Sequence, residues 1–140
     1  NGLSDYLSGK SELSDTVKKV SIANFDFISR GAIPPNPAEL LMHRRFGELI
    51  KWASENYDIV ILDTPPILAV TDAAITGNYA GTTLLVIRFE QNTTKEVEVS
   101  IKRFGQSGVH VKGCILNGVV KKASSYYGYG YSNYNYSYKD

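Results

Sequence analysis

The sequence predicts an α/β domain built around a parallel sheet flanked by helices. Short aliphatic runs alternate with amphipathic helical stretches, which is the pattern of strands joined by crossover helices. Two of these runs are continuous, as strands buried on both faces are, and we expect them to be central. The pattern predicts four strands, over residues 25–29, 59–63, 83–87 and 111–116.

Three helices are predicted from caps and apolar spacing. One begins after Asn36, with Pro37 at its first position, and runs on without a break. Another covers roughly residues 72–79, and a third begins at Thr93, where Glu96 completes a capping box. The apolar stripe of the first is Met42, Phe46, Leu49, Ile50 and Ala53, and that of the third is Val97, Ile101 and Phe104.

Composition changes near Ala123. From there to Asp140, tyrosines alternate with Gly, Ser and Asn, and no Leu, Ile or Val is present to offset the cost of ordering the chain. We therefore expect a folded domain over residues 1–122 and a disordered tail over residues 123–140. The tail is either a stacking segment or a set of kinase acceptors, and composition leaves both open. Its tyrosines are Tyr126, Tyr127, Tyr129, Tyr131, Tyr134, Tyr136 and Tyr138.

Charge and cysteine content exclude several classes of function. With 15 Lys and Arg against 14 Asp and Glu, the net charge of +1 does not favour a nucleic-acid partner. One cysteine, Cys114, excludes an intrachain disulfide and a multi-cysteine zinc site. No apolar run is long enough to span a membrane. These features indicate chemistry in a reducing, cytosol-facing compartment.

The strongest local motif closes the second predicted strand. Four aliphatic residues, Ile59 to Leu62, end in Asp63, and the run Thr-Pro-Pro follows. This is the Walker B pattern of P-loop nucleotide hydrolases and kinases, which holds a carboxylate where open α/β sheets bind ligands. Such a carboxylate can hold Mg²⁺ through its water shell. The prolines bar an immediate helix, so the chain must leave as a loop over the site.

The sequence contains no phosphate-binding loop to accompany this Walker B pattern. The Gly9-Lys10-Ser11 run lacks the glycine required five residues before Gly9, where Ser4 stands, and no hydrophobic strand precedes it. We interpret it as a surface turn after a short helix. Lys10 is therefore not assigned to phosphate.

Two other residues at strand ends are candidates for nucleotide binding. Thr64 directly follows Asp63, and Asn117 closes the last predicted strand. An amide there offers a donor and an acceptor to the edge of an adenine base, but an Asn before Gly is also a common turn residue. The sequence leaves both interpretations of Asn117 open.

Four segments together closely resemble one family. They are Arg30 to Leu41 (RGAIPPNPAELL), Tyr57 to Pro66, the Thr-Asp-Ala run from Thr71, and the tyrosine-rich end. Their combination resembles the bacterial tyrosine kinases of the Wzc type, autokinases that govern capsular and extracellular polysaccharide assembly. The similarity extends over the whole chain.

The resemblance implies a P-loop NTPase-like fold that is incomplete here, with ATP and Mg²⁺ as cofactors. Asp63 would bind the metal and help to activate a tyrosine hydroxyl, and the tail tyrosines would be phosphorylated in trans within a ring of subunits. The Walker A loop, the Walker A′ segment, a periplasmic region and two membrane helices should lie upstream of Asn1. The chain would then belong to the cytoplasmic domain of an inner-membrane protein.

The resemblance also implies partners, and two other functions compete with it. The implied partners are further copies of the chain, a low-molecular-weight phosphotyrosine phosphatase and the polysaccharide export machinery. One competing function is an ATPase of the MinD/ParA sort, which has no need of a tyrosine tail. The other is a non-catalytic interaction module whose tyrosines bind a partner by stacking.

Overall fold

A computed structural model describes residues 1–21 and 24–120 as helices joined to short strands. The predicted boundary between residues 122 and 123 and the tyrosine tail lie outside the described residues. No helix in the described ranges is long and apolar enough to cross a bilayer. The elements in chain order are α1 Leu3–Leu7, α2 Leu13–Thr16, β1 Lys18–Lys19, β2 Asp26–Phe27, α3 Pro37–Met42, α4 Arg44–Asn56, α5 Asp72–Gly77, β3 Thr83–Arg88, α6 Thr94–Gln106 and β4 Val111–Asn117.

Strands β3 and β4 form the parallel pair that the sequence predicts. Their register runs from Leu84 opposite Gly113 to Arg88 opposite Asn117, and one irregularity falls between Thr83 and Leu84. Parallel strands need a crossover, and α6 supplies it. The helix begins as predicted, because Thr93 and Glu96 form the capping box. The α/β fold class and these two strands are confirmed.

The predicted central strand over residues 59–63 is not a strand in the structure. Within the described ranges, no backbone hydrogen bond joins residues 58–64 to another strand. Ile59 and Ile61 are 78% and 84% exposed. A continuous aliphatic run is buried only when strands flank it on both sides, and β3 pairs with β4 instead. The prediction of a buried central strand is therefore wrong for this chain.

The first predicted strand is also corrected. Of residues 25–29, only the two residues of β2 are a strand, and they pair antiparallel with β1 rather than joining the parallel sheet. Beyond β2 the backbone runs past the start of α1. There the Ser29 carbonyl accepts the Leu3 N–H at 2.7 Å and so caps the helix. A Cβ on Gly2 would lie 2.2 Å from the Gly31 nitrogen, so this approach requires glycine.

The helix predicted after Asn36 is two helices. His43 adopts extended backbone angles (φ −67°, ψ 143°) and separates α3 from α4. Its Nδ1 accepts the Arg45 N–H at 3.3 Å, which caps α4. The break rotates α3 relative to the predicted stripe, so that Leu41 is buried and Met42 is 60% exposed.

Two clusters of buried side chains hold these elements together. The helical cluster lies among α1, α3 and α4, and half-buried Trp52 is one of the residues packed against it. The sheet cluster lies between α5, α6 and the start of β4. The Phe46 and Tyr79 rings meet edge to face, 5.1 Å between centroids, and join the two regions. The helical cluster consists of Tyr6, Leu7, Leu41, Phe46 and Leu49, and the sheet cluster of Ile67, Ala73, Ala74, Phe104 and Val109.

Candidate functional site

Asp63 lies on the outward side of an extended segment that follows α4. Side-chain exposure alternates over residues 61–64: Ile61 points into solvent, whereas Leu62 and Thr64 are half-buried. This period of two is that of extended backbone with one packed side. Asp63 falls in the outward set and is exposed. The Asp63 carboxylate makes no hydrogen bond or ion pair within the described residues, so it is free to bind a ligand.

A tyrosine hydroxyl fixes the start of this segment. Tyr57 ends α4 with extended backbone angles, and its hydroxyl donates to Asp26 Oδ2 at 2.6 Å. The hydrogen bond to this carboxylate raises the pKa of Tyr57, and desolvation adds to the effect. The Tyr57 ring also meets the Trp52 ring edge to face, 5.7 Å between centroids. These contacts tie the end of α4 to β2.

A tight turn follows Asp63, as the prolines predict. The Pro66 carbonyl accepts the N–H groups of Ala69 and Val70 at 2.9 and 3.3 Å. At this turn the Ile67 side chain enters the sheet cluster and is 7% exposed. The Arg103 guanidinium, on α6, donates to the Ile67 and Leu68 carbonyls at 3.2 and 3.0 Å. Side-chain packing and a cation therefore hold the loop in place.

Asn117 lies at the carboxyl end of β4, opposite Arg88 of β3. Its side-chain Oδ1 accepts the Gly118 N–H at 2.8 Å, and Gly118 has a positive φ of 69°. The Asn117 carbonyl accepts the Phe89 N–H at 2.9 Å. In this arrangement the amide oxygen already serves a turn, and the amide N–H groups are the donors left for a base edge.

The three sequence-predicted site residues are not joined to one another. No hydrogen bond or ion pair links Asp63, Thr64 and Asn117 in the described part of the chain. Open cavities of about 240 and 330 Å³ flank the loop and α6, and neither is lined by these residues. Both cavities include Arg103 in their walls. What the structure shows is a lone carboxylate at a loop rather than an assembled nucleotide pocket.

The environment of Asp63 fits one kind of metal site. No group of three or more His, Cys, Asp and Glu that could hold a metal lies within residues 1–21 and 24–120. A single exposed carboxylate cannot enclose an ion. It does suit Mg²⁺, which keeps most of its waters and is shared between one or two carboxylates and substrate phosphates.

Lys10 has no part in this site. Its neighbour Ser11 is 7% exposed and shares a hydrogen bond of 3.0 Å with the Thr16 hydroxyl. Gly9 has a φ of 77° at the end of α1. The interpretation of Gly9-Lys10-Ser11 as a turn after a short helix agrees with this geometry.

Sequence reasoning missed two contacts around the site. The Tyr57–Asp26 bond joins residues 31 apart, and the Arg103 bonds join residues 35 and 36 apart. No local pattern identifies such long-range polar pairs. The one signal available for Arg103 was its position as a basic residue in the last turn of a helix. There its charge also interacts favourably with the negative end of the helix dipole.

Comparison with known proteins gives close relatives along most of the chain. No protein-family model matches the sequence. The tyrosine-protein kinase Wzc of Salmonella typhimurium is 61% identical over 130 residues, which are 93% of this chain and 18% of that protein. The tyrosine-protein kinase Etk of Escherichia coli is 54% identical over 129 residues, 92% of this chain and 18% of that protein. A protein of the cps region of Klebsiella pneumoniae that carries a tyrosine-kinase name is 67% identical over 128 residues.

Solved structures agree with these relatives. The kinase domain of the Escherichia coli tyrosine kinase ETK matches with a TM-score of 0.84 and 55% identity, over 93% of this chain and 51% of that domain. The BceF tyrosine kinase domain matches with a TM-score of 0.79 and 45% identity, over 85% of this chain and 49% of that domain. The chain thus spans about half of the solved kinase domains and less than a fifth of the curated relatives.

Proposed function

This chain belongs to the Wzc- and Etk-type tyrosine kinases, of which it spans one part, and on that premise we propose that it serves in a protein-tyrosine autokinase. The autokinase transfers the γ-phosphate of ATP to tyrosines at its own C-terminal end. The observation that carries the proposal is 61% identity to a Wzc kinase over 93% of this chain. A fold match to the ETK kinase domain at a TM-score of 0.84 supports it.

Asp63 is the residue that we assign to the metal and to the reacting hydroxyl. Its carboxylate is exposed, carries no hydrogen bond in the described residues, and stands where the aliphatic segment gives way to the proline turn. When bound, Mg²⁺ would neutralise charge on the phosphates. The carboxylate would hold the water shell of the ion and orient an incoming tyrosine hydroxyl. Thr64 and the amide N–H groups of Asn117 are the further candidates for contacting the nucleotide.

The phosphate cradle comes from the part of the kinase domain that this chain does not span. Phosphoryl transfer depends on a lysine and backbone N–H groups around the β- and γ-phosphates. This sequence offers no such loop, and Lys10 does not replace it. We infer that the 140 residues by themselves bind ATP weakly and do not phosphorylate their own tyrosines.

The tail tyrosines are the proposed acceptors, and their modification would act as a charge switch. Each phosphate adds about −1.5 to −2 charges, so a heavily modified tail repels its neighbours. An unmodified tail would permit a ring of subunits, and a modified one would disperse it. The remaining proposals are a low-molecular-weight phosphatase partner, control of polysaccharide polymerisation and export, and a location on the cytoplasmic side of the inner membrane.

The test is phosphopeptide mapping of the chain incubated with Mg·ATP, alone and with a full-length kinase of the family. Phosphate on residues 123–140 only in the mixture supports the proposal. A chain with its seven tail tyrosines changed to Phe is the acceptor control. No phosphate in either reaction contradicts the proposal and favours an ATPase or a stacking module.

A second arm tests Asp63 in a protein where the chain is joined to the rest of its kinase domain. Asp63→Asn keeps the shape of the side chain and removes its charge, and we expect autophosphorylation to fall about a hundredfold. Asp58→Asn is the matched control, because Asp58 is an exposed carboxylate on the same segment. Equal activity of the two variants would remove Asp63 from the site.

A further inference from the structure

We propose that Arg103 is a positioning residue: its guanidinium holds the loop after Asp63 and so fixes where the Asp63 carboxylate stands relative to the β3–β4 sheet. The contact that holds the loop is independent of the kinase reaction. What Asp63 does once positioned rests on the proposed function.

No strand pairing fixes the segment that precedes Asp63 within the described residues. In a strand that belongs to a sheet, ladder hydrogen bonds on either side fix the strand end. Residues 58–64 have no such bonds to another strand in the described part of the chain. The Tyr57–Asp26 bond fixes the start of this segment, six residues before Asp63, so the turn that follows Asp63 is the nearer anchor.

That following chain is attached to the body of the molecule at two adjacent points. The Ile67 side chain packs in the sheet cluster, where Phe104 of α6 is also buried. Arg103, next to Phe104, donates from Nη1 to the Ile67 and Leu68 carbonyls at 3.2 and 3.0 Å. One turn of α6 thus holds the loop in two ways: Phe104 packs in the same cluster as Ile67, and Arg103 donates two charge-assisted hydrogen bonds.

The loop has few other ways to satisfy its backbone. Pro65 and Pro66 have no N–H to donate, and the Pro66 carbonyl already serves the turn through Ala69 and Val70. Arg103 supplies donors to the next two carbonyls. Its side chain also lines both open cavities beside α6. Removal of the guanidinium would leave the Ile67 side chain to hold the turn against the sheet cluster.

Amide hydrogen exchange of the 140-residue chain tests the contact with the loop. Arg103→Met keeps an unbranched apolar stem and removes the donors. We expect the Ala69 and Val70 amides to exchange about tenfold faster, while the amides of β3 and β4 change less than twofold. Arg103→Lys, which keeps a cation and donors, should recover part of the protection. Lys102→Met is the control, since Lys102 makes no hydrogen bond or ion pair in the described residues.

Two exchange results would overturn the proposal. If Arg103→Met leaves the Ala69 and Val70 amides unchanged, the bonds do not hold the loop. If exchange accelerates equally in the loop and in β3 and β4, Arg103 supports the fold in general and positions nothing in particular.

The kinase domain that contains the chain supplies the second measurement. A displaced Asp63 should raise the Mg²⁺ concentration for half-maximal autophosphorylation several-fold in Arg103→Met, with partial recovery in Arg103→Lys. An unchanged Mg²⁺ requirement beside a loosened loop would refute positioning. An inactive wild-type domain would instead refute the proposed function, and the exchange data would still decide the loop contact.

Discussion

The helices near the start of the chain bury their own apolar side chains, whereas the strand segments further along leave theirs in water. On α4, Phe46 and Leu49 are 2% and 4% exposed. On the aliphatic segment and on β3, Ile61 and Val86 are 84% and 60% exposed. The strand segments are the richer in large apolar residues, as TLLVIR in β3 against RRFGELIKWASEN in α4 shows, so composition does not explain the difference.

The difference lies in where each element finds its partners. A helix satisfies its backbone within its own segment and needs one neighbour for its apolar stripe. A central strand of a parallel sheet needs neighbours along both edges and cover on both faces. The solved ETK kinase domain is about twice as long as this chain, which covers 51% of it. We infer that the remainder of the domain supplies the neighbours that the strand segments lack.

A cavity in the helical cluster should have the largest effect on stability. Phe46→Ala removes a ring that is 2% exposed and meets Tyr79 edge to face. We expect a loss of about 3–5 kcal/mol in the free energy of unfolding, measured by urea denaturation followed by circular dichroism. Met42→Ala, at a 60% exposed position four residues earlier, should change it by less than about 0.5 kcal/mol. Similar losses for the two would mean that the helical cluster is not a packed core.

Ile61→Ala sharpens the comparison, because its cost should depend on the length of the protein. In this chain the side chain is 84% exposed, and the loss should stay below about 0.5 kcal/mol. In the complete kinase domain we expect about 2–5 kcal/mol, since a neighbouring strand and cover would bury it. A small loss in both proteins would show that the outward side of this segment stays in water.

The contact between Tyr57, at the end of α4, and Asp26 of β2 should contribute less to the free energy of unfolding. Tyr57→Phe removes the hydroxyl that donates to Asp26, at a cost of about 1 kcal/mol at neutral pH. The pKa of Tyr57 is raised above its ordinary 10.0, so the bond stabilises the fold below that pH and is lost as pH rises through the raised value. The urea midpoints of wild type and variant should therefore differ at neutral pH and converge at a pH above the raised pKa of Tyr57.

Tyr79→Phe is the control for this pH dependence. The Tyr79 hydroxyl makes no hydrogen bond in the described residues, and its ring contact with Phe46 survives the change. The variant should unfold with the wild type at neutral pH. A loss equal to that of Tyr57→Phe would indicate that any tyrosine hydroxyl contributes as much and that the Asp26 contact is not special.

The smallest effect should appear at the start of α6. The Thr93 N–H donates to the Glu96 carboxylate at 2.8 Å, and this backbone bond lowers the pKa of Glu96. The contribution is present above the ordinary pKa of 4.5 and is lost as pH falls through the lowered value. Glu96→Gln should therefore lower the melting temperature slightly at neutral pH and leave it unchanged in strong acid. Glu98→Gln, the control, should leave the melting temperature unchanged at both pH values.

Local signals predicted the parts of the fold that close within a short stretch of chain. The Thr93–Glu96 capping box placed the start of α6, and the β-branched runs placed β3 and β4. The break at His43 escaped prediction, because apolar residues continue at helical spacing on both sides of it. Only the extended backbone of that residue shows that Leu41, rather than Met42, faces the core.

The sequence proposes residues for the candidate site and does not predict their surroundings. The aliphatic run ending in aspartate proposes Asp63, whose role stays a prediction, and Asn before Gly allowed for the turn that Asn117 makes. The same run was wrong as a buried strand, because burial depends on flanking strands, and no strand among the described residues pairs with it. The contact of Arg103 with the loop was not predictable either, because its acceptors lie 35 and 36 residues away along the chain.

Trp52 makes the two regions of the molecule optically unequal. It is the single tryptophan, it packs against the helical cluster, and the Tyr57 ring lies 5.7 Å from it between centroids. Its emission therefore reports on the helical region, with Tyr57 close enough to transfer excitation to it. The β3–β4 pair carries no fluorophore of its own within β3 or β4. A thermal melt followed by tryptophan fluorescence would report unfolding of the helical region and would not detect fraying of β3 and β4.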